Sequence, residues 1–170
     1  PRACRPFRSE REGMSIGEGA AVLVLETAAS ARARGARILG WLLGAGASCD
    51  AHHMTAPDPQ GAGIARAVEA AFADSGLQAS DIDFVNVHGT GTPHNDAAEA
   101  KMLRAVFGDR LPRLPLTSSK GAIGHYLGAA HSPEPDSVMR SLLGDSPRVR
   151  ANWRCSFDPV NALVVNLVAE

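Results

Sequence analysis

The sequence has no long hydrophobic run. No stretch approaches the roughly 20 apolar residues that a membrane helix needs, and the N-terminus shows none of the charge, apolar block and cleavage-site pattern of a signal peptide. A cytoplasmic protein with no membrane contact is therefore expected. Charge of one sign is missing too: 17 basic and 18 acidic residues give a net charge of −1 without blocks of like charge, which leaves a nucleic-acid partner no electrostatic basis. Arg32, Arg34 and Arg37 read as a solvated helix end. Cysteine is scarce: Cys4, Cys49 and Cys155 lack C-x-x-C spacing, which argues against a disulfide framework or a zinc site and predicts three free thiols and no metal. Repeats and low-complexity segments are absent. What is there, 45% hydrophobic and 21% charged residues over 170 positions, suits a globular domain with one substantial core.

Strand and helix patterns alternate along the chain. Residues 19–26 form a short apolar run, as in a strand buried on both faces, and 28–34 an alanine- and arginine-rich helix stopped by Gly35. Residues 38–47 are apolar and punctuated by glycine, which predicts a strand closely packed by other backbone. Ile64, Val68 and Phe72 make a helical stripe within 61–75, ended by Gly76. Residues 81–87 alternate like a strand, 93–107 make a helix with Leu103, Val106 and Phe107 as its late apolar face, and 161–168 are the one clear strand of the C-terminal part. The alternation predicts an α/β layered domain with a mixed, mostly parallel sheet.

Two junctions stand out. Val85-Asn86-Val87-His88-Gly89-Thr90-Gly91-Thr92-Pro93 delivers a histidine off an apolar strand into a glycine loop, with Thr92 as N-cap and Pro93 at the first helical position. Ser118-Ser119-Lys120-Gly121-Ala122-Ile123-Gly124-His125 follows the apolar run 114–116 with a lysine, glycines and a second histidine. Together they predict one site. Each residue also has a purely structural reading: His88 as a packed strand-end histidine, Thr90 and Thr92 as turn and cap residues, Lys120 as an exposed lysine. A lysine between apolar residues and Gly-Ala-Ile-Gly is more simply buried and paired. Gly89, Gly91, Gly121 and Gly124 match neither G-x-x-x-x-G-K-[ST] nor G-x-G-x-x-G, so they do not read as a phosphate cradle. His52, His53, His94 and His131 lack such a context and read as exposed or loop-packing residues.

Several motifs in order carry a resemblance: Arg5-Pro-Phe, Arg11-Glu-Gly, Gly17-Glu-Gly-Ala-Ala-Val-Leu-Val-Leu-Glu, Gly46-Ala-Ser-Cys-Asp-Ala-His-His-Met-Thr-Ala-Pro, His88-Gly-Thr-Gly-Thr-Pro, Asn95-Asp96, Ser118-Ser-Lys and Gly124-His-Tyr-Leu-Gly-Ala-Ala. Over about its first three quarters the chain resembles the C-terminal half of a β-ketoacyl-acyl-carrier-protein synthase, a ketosynthase of type II systems with the thiolase-like fold. The resemblance implies that residues 1–36 are the end of the N-terminal half and 37–170 the C-terminal domain, divergent after about 131. It makes His88 and His125 the histidines that handle malonyl thioester, and Lys120 the buried lysine that orients the second. Thr90, Thr92 and Thr55 match residues lining the phosphopantetheine path, and Glu134 falls where a glutamate pairs with that lysine. No cofactor is implied beyond the carrier's phosphopantetheine. The implied partners are acyl carrier protein, the missing N-terminal half and a homo- or heterodimer mate.

The chain departs from the family in two places. The nucleophilic cysteine belongs to the half that would precede this chain, and neither Cys4 nor Cys49 has a helix-start context that activates a thiol. At the other end, Cys155-Ser-Phe-Asp-Pro-Val-Asn161 stands where a glycine-rich loop is usual, and Pro159 cannot adopt glycine's conformations. The readings open at this point are the catalytic-histidine part of a condensing enzyme, inactive alone; a non-catalytic subunit of the chain-length-factor kind, or a decayed fragment; and an unrelated α/β binding domain.

Overall fold

The computed structural model describes residues 4–20, 24–38, 40–127, 150–158 and 161–168, the last two stretches as backbone. Nine elements follow in chain order: α1 (Ala28–Ala33), β1 (Trp41–Ser48), α2 (Ala62–Ser75), β2 (Phe84–Asn86), α3 (Pro93–Phe107), β3 (Leu116–Thr117), α4 (Lys120–Ile123), β4 (Arg150–Asp158) and β5 (Asn161–Val168). They build one five-stranded sheet in the order β1-β5-β4-β2-β3. The sheet is mixed: β2 pairs parallel with β3 and β4, whereas β5 runs antiparallel to both β1 and β4. The parallel half carries the first histidine junction.

Helices α2 and α3 cover one face of the sheet. Ile64, Ala67, Val68 and Ala71 of α2 meet Met102, Leu103 and Phe107 of α3 over Val85 and Val87, with Ile82 and Leu114 closing the core. Phe72 and Val106, expected on the two stripes, pack at the rim. As its glycines predict, β1 lies hard against α2: a Cβ at Gly46 would collide with the Ala67 carbonyl oxygen. Among the described residues no helix is long and apolar enough to cross a membrane. Arg32 of α1 and Arg34 and Arg37 just after it are exposed as expected, with Arg34 bound to Glu26 and Arg32 stacked 5.4 Å from the Trp41 ring centre.

The structure differs from expectation at three elements. Of the strand expected over 19–26, residues 21–23 lie outside the described residues, and 24–26 have no regular structure, with Val24 and Leu25 exposed. The strand expected over 81–87 starts only at Phe84. Asp81 turns back to accept the Gln78 N–H at 2.9 Å and winds Ala79–Asp81 into a 3-10 turn. Lying between β3 and β4, β2 is buried at every residue, so Asn86 is inside rather than on a wet face. Finally, residues 155–158, expected in a loop, continue β4, which forms a hairpin with β5 and pairs Asp158 with Asn161.

Candidate active site

Both junctions fold as loops that leave β-structure and enter a helix. His88 follows β2 and His125 follows α4; their ring centres are 5.2 Å apart and their planes cross at 86°, edge to face. Both are buried, at 3% and 8% exposure, in a sheet-end position rather than in the apolar core. The pairing expected of the two junctions is therefore present in space.

The tautomer of His125 is built into the backbone. The Leu127 N–H donates to His125 Nδ1 at 2.9 Å, so the neutral ring carries its proton on Nε2 and presents that N–H as a donor. Leu127 reaches this position with φ of +53°, a left-handed conformation costly for a leucine and held here at the site itself. On both sides of His125 the chain is clamped to residues 15–17: its N–H donates to Ser15 O at 2.7 Å and its carbonyl accepts from Gly17 N at 3.1 Å.

The loop at His88 is held by carboxylates from α3. Glu99, fully buried, accepts from His88 N at 2.8 Å and Gly89 N at 2.9 Å. Asp96 accepts from Gly91 N at 3.1 Å, Asn95 Nδ2 at 3.1 Å and Phe7 N at 2.7 Å, with Arg11 Nε 3.9 Å away. These are charge-assisted bonds to backbone donors that no helix or sheet ladder would satisfy. Gly91 has to be glycine: its φ is +77°, and a Cβ would come within 2.8 Å of Gly13 O and 2.9 Å of Cys4 Sγ. The segment 4–17, expected to end a preceding half, thus straps both histidine loops, since Gly13 N also donates to Gly91 O at 3.1 Å.

Thr90 is buried in the same loop. Its hydroxyl lies 2.8 Å from that of Thr92 and accepts the Thr92 N–H at 3.3 Å, a local turn of the expected kind. Thr92 occupies the N-cap position of α3 with Pro93 after it, but its hydroxyl makes no capping bond. The nearby Thr90 hydroxyl holds it instead. Lys120, at 1% exposure, is buried as its apolar context predicts, at the start of α4 and close enough to act electrostatically on Cys4. Thr55 is exposed in the loop between β1 and α2, where its hydrogen bonds run to His53 rather than to the histidine pair. Glu134 and its expected pairing with Lys120 lie outside the described residues.

Among the described residues Cys4 is buried and Cys49 exposed, and neither is in a disulfide; the Cys155 side chain lies outside the described residues. Cys4 donates to Thr90 O at 2.8 Å, and burial pushes its thiol pKa up, the opposite of nucleophile activation. The residues that sequence reasoning missed are Asn95, Asp96 and Glu99 as supports of the loop. They share a helix face with Ala98, Met102 and Leu103, at positions i, i+1 and i+4, a pattern that becomes informative only once the fold shows that face to be buried.

Residues 39–135 match the family model described as beta-ketoacyl synthase, C-terminal domain. The 3-oxoacyl-[acyl-carrier-protein] synthase 2 of Staphylococcus aureus is 46% identical over 127 residues, 75% of this chain and 32% of that protein. Among solved structures, the ishigamide ketosynthase/chain length factor superposes with a TM-score of 0.88 at 34% identity, over all of this chain and 48% of that one. A type II PKS structure, an acyl-carrier protein in complex with its ketosynthase bound to the hexaketide, gives 0.90 at 26% identity over 99% and 48%. The chain spans about a third of the length of the curated relatives it matches and about half of the solved chains. The fold is that of these ketosynthases. By the matched region and the identity across it, the chain belongs to the beta-ketoacyl synthase family, of which it carries the C-terminal domain.

Proposed function

We propose that this chain supplies the decarboxylation half of a 3-oxoacyl-acyl-carrier-protein synthase: the histidines that turn malonyl thioester into the carbon nucleophile of a Claisen condensation. The observation that carries this reading is the edge-to-face His88–His125 pair, with the Leu127 N–H fixing His125 as an Nε2–H donor. Loss of CO2 from a malonyl thioester leaves its electron pair delocalised onto the thioester oxygen. Imidazole N–H donors aimed at that oxygen stabilise the charge as it develops, and each well-placed donor is worth about 3 kcal/mol of barrier. The resulting enolate carbon attacks the thioester carbonyl of an acyl-enzyme, and the cysteine leaves as thiolate. In this reading that thiolate comes from the preceding half of the enzyme, and Cys4, whose thiol pKa is raised by burial, is not suited to the role.

In this reading Lys120 orients His125, and Thr90 and Thr92 hydrogen-bond the phosphopantetheine arm at the loop that holds His88. Thr55 contacts the same arm further out. The substrate arrives on acyl carrier protein, so the chain needs no cofactor of its own. Residues 37–170 form the C-terminal domain, and 1–36 complete the preceding half, which packs with a second subunit into a dimer in the cytoplasm. Solved relatives that include a chain length factor support a second reading, a non-catalytic partner subunit. The fixed tautomer of His125 favours the catalytic one, since a tunnel-shaping subunit has no use for an oriented donor.

The test is a chimera in which the preceding part of the Staphylococcus aureus relative is joined to this chain in place of its own C-terminal domain. Elongation of an acyl primer by malonyl-carrier, lost on substituting His125 by Ala, supports the enzyme reading. A folded chimera that accepts the acyl group on its cysteine and yet never releases CO2 contradicts it.

A further inference from the structure

In the loop between β1 and α2, one imidazole gathers two backbone donors. Thr55 N–H donates to His53 Nδ1 at 3.1 Å and Ala56 N–H donates to the same nitrogen at 3.3 Å, while Thr55 Oγ1 lies 3.5 Å from it. A side-chain acceptor that gathers backbone donors two and three residues on is the imidazole counterpart of an Asx turn. The difference is that an imidazole nitrogen accepts only while unprotonated. On taking up a proton it becomes a donor, and both backbone N–H groups then face another N–H. We propose that His53 is the positioning residue of Thr55: neutral, it holds Thr55 in place; protonated, it lets the turn go, so that recognition of the substrate arm weakens as pH falls. This rests on the reading of Thr55 as an arm-binding residue.

The charged groups around the loop are committed elsewhere. Within it, Asp50 accepts from Asp58 N, and Asp58 accepts from Gln60 N and Ala62 N. From the packed helices, Arg66 of α2 donates to Cys49 O and Lys101 of α3 to Pro59 O. His52 adds an electrostatic pull on Asp58. The bonds at Thr55 and Ala56 therefore depend on His53 Nδ1 remaining an unprotonated acceptor.

The experiment follows the backbone amides of Thr55 and Ala56 and the His53 ring by NMR on the full isotope-labelled chain from pH 8 to pH 5. Both amide protons are expected to move upfield in step with the ring titration, as protons do on leaving an acceptor. His53→Asn, which keeps an acceptor oxygen without titrating, is expected to hold them at their neutral positions throughout, and His53→Ala to leave them at the acidic positions at every pH. His52→Asn is expected to titrate like the parent. Amides that ignore the His53 titration, or that still move in His53→Asn, overturn the proposal. In the chimera, Thr55→Ala is expected to raise KM for malonyl-carrier with kcat nearly kept; no change in KM would remove the arm-binding reading of Thr55 while leaving the NMR result standing.

Discussion

At the scale of single residues, the site is a problem in satisfying backbone. The loop that carries His88 takes its amides out of the sheet ladder, and Glu99 and Asp96 answer with buried carboxylate oxygens. Replacing Glu99 by Ala strands two buried N–H groups and is expected to cost about 3 kcal/mol of folding stability. Glu99→Gln keeps one acceptor oxygen and should cost about half as much. Urea unfolding monitored by tryptophan fluorescence measures both, and equal stability of parent and Glu99→Ala would show that the loop does not depend on this carboxylate. The histidines were legible in the sequence because a neighbouring glycine, Gly89 after His88 and Gly124 before His125, advertises an unusual backbone. Glu99 was not, because a glutamate in a helix reads as solvated until the fold shows which face is inside. Thr92 shows the converse, since the sequence put it correctly at the helix start but could not tell that Thr90 would take its hydroxyl.

Elements show where local signals win and where tertiary pairing overrides them. Helices α2 and α3 begin and end where stripes and glycines place them, and β1 lies against α2 as its glycines require. The tail behaves differently. The family match by sequence ends at residue 135, yet β4 and β5 form a hairpin inside the sheet, between β1 and β2. A strand that is completed by its neighbours needs less of its own sequence to announce it. The loop before α2 carries its own pH signature. Gln60 N–H, then Ala62 N–H, with His52 and Arg66 nearby, hold the Asp58 carboxyl below the usual carboxylate range, against an opposing effect of burial. Because the folded form releases its proton more readily than the unfolded chain, this contribution is complete above the unfolded pKa of about 4 and is lost as pH falls through the lower folded value. Denaturant unfolding between pH 5 and pH 2.5 should therefore show the parent losing its advantage over Asp58→Asn as the solution becomes acidic. A gap that stays constant across that range would rule out Asp58 as its source.

On the scale of the whole molecule, the apolar surface is uneven. Val24 is 84% exposed, Ile16 66% and Leu127 56%, and the last two flank His125. Large apolar side chains gathered beside a site mark surface that meets another protein layer. The full chain alone is expected to bind a hydrophobic dye and to self-associate, and the preceding part of a relative should suppress both; a monodisperse monomer that binds no dye speaks against a covering layer. The strap 4–17 gives the same lesson from inside, because it locks both histidine loops to a segment that the family match does not include. What the pair does once assembled is the central claim. The measurement that reaches it most directly is CO2 release from malonyl-carrier by the chimera, with acylation of its cysteine followed in parallel. His88→Ala and His125→Ala are each expected to slow decarboxylation by about 10² to 10³ and to leave acylation nearly unchanged. Equal losses in both steps, or CO2 release at the parent rate, would contradict the assignment of His88 and His125 to malonyl decarboxylation.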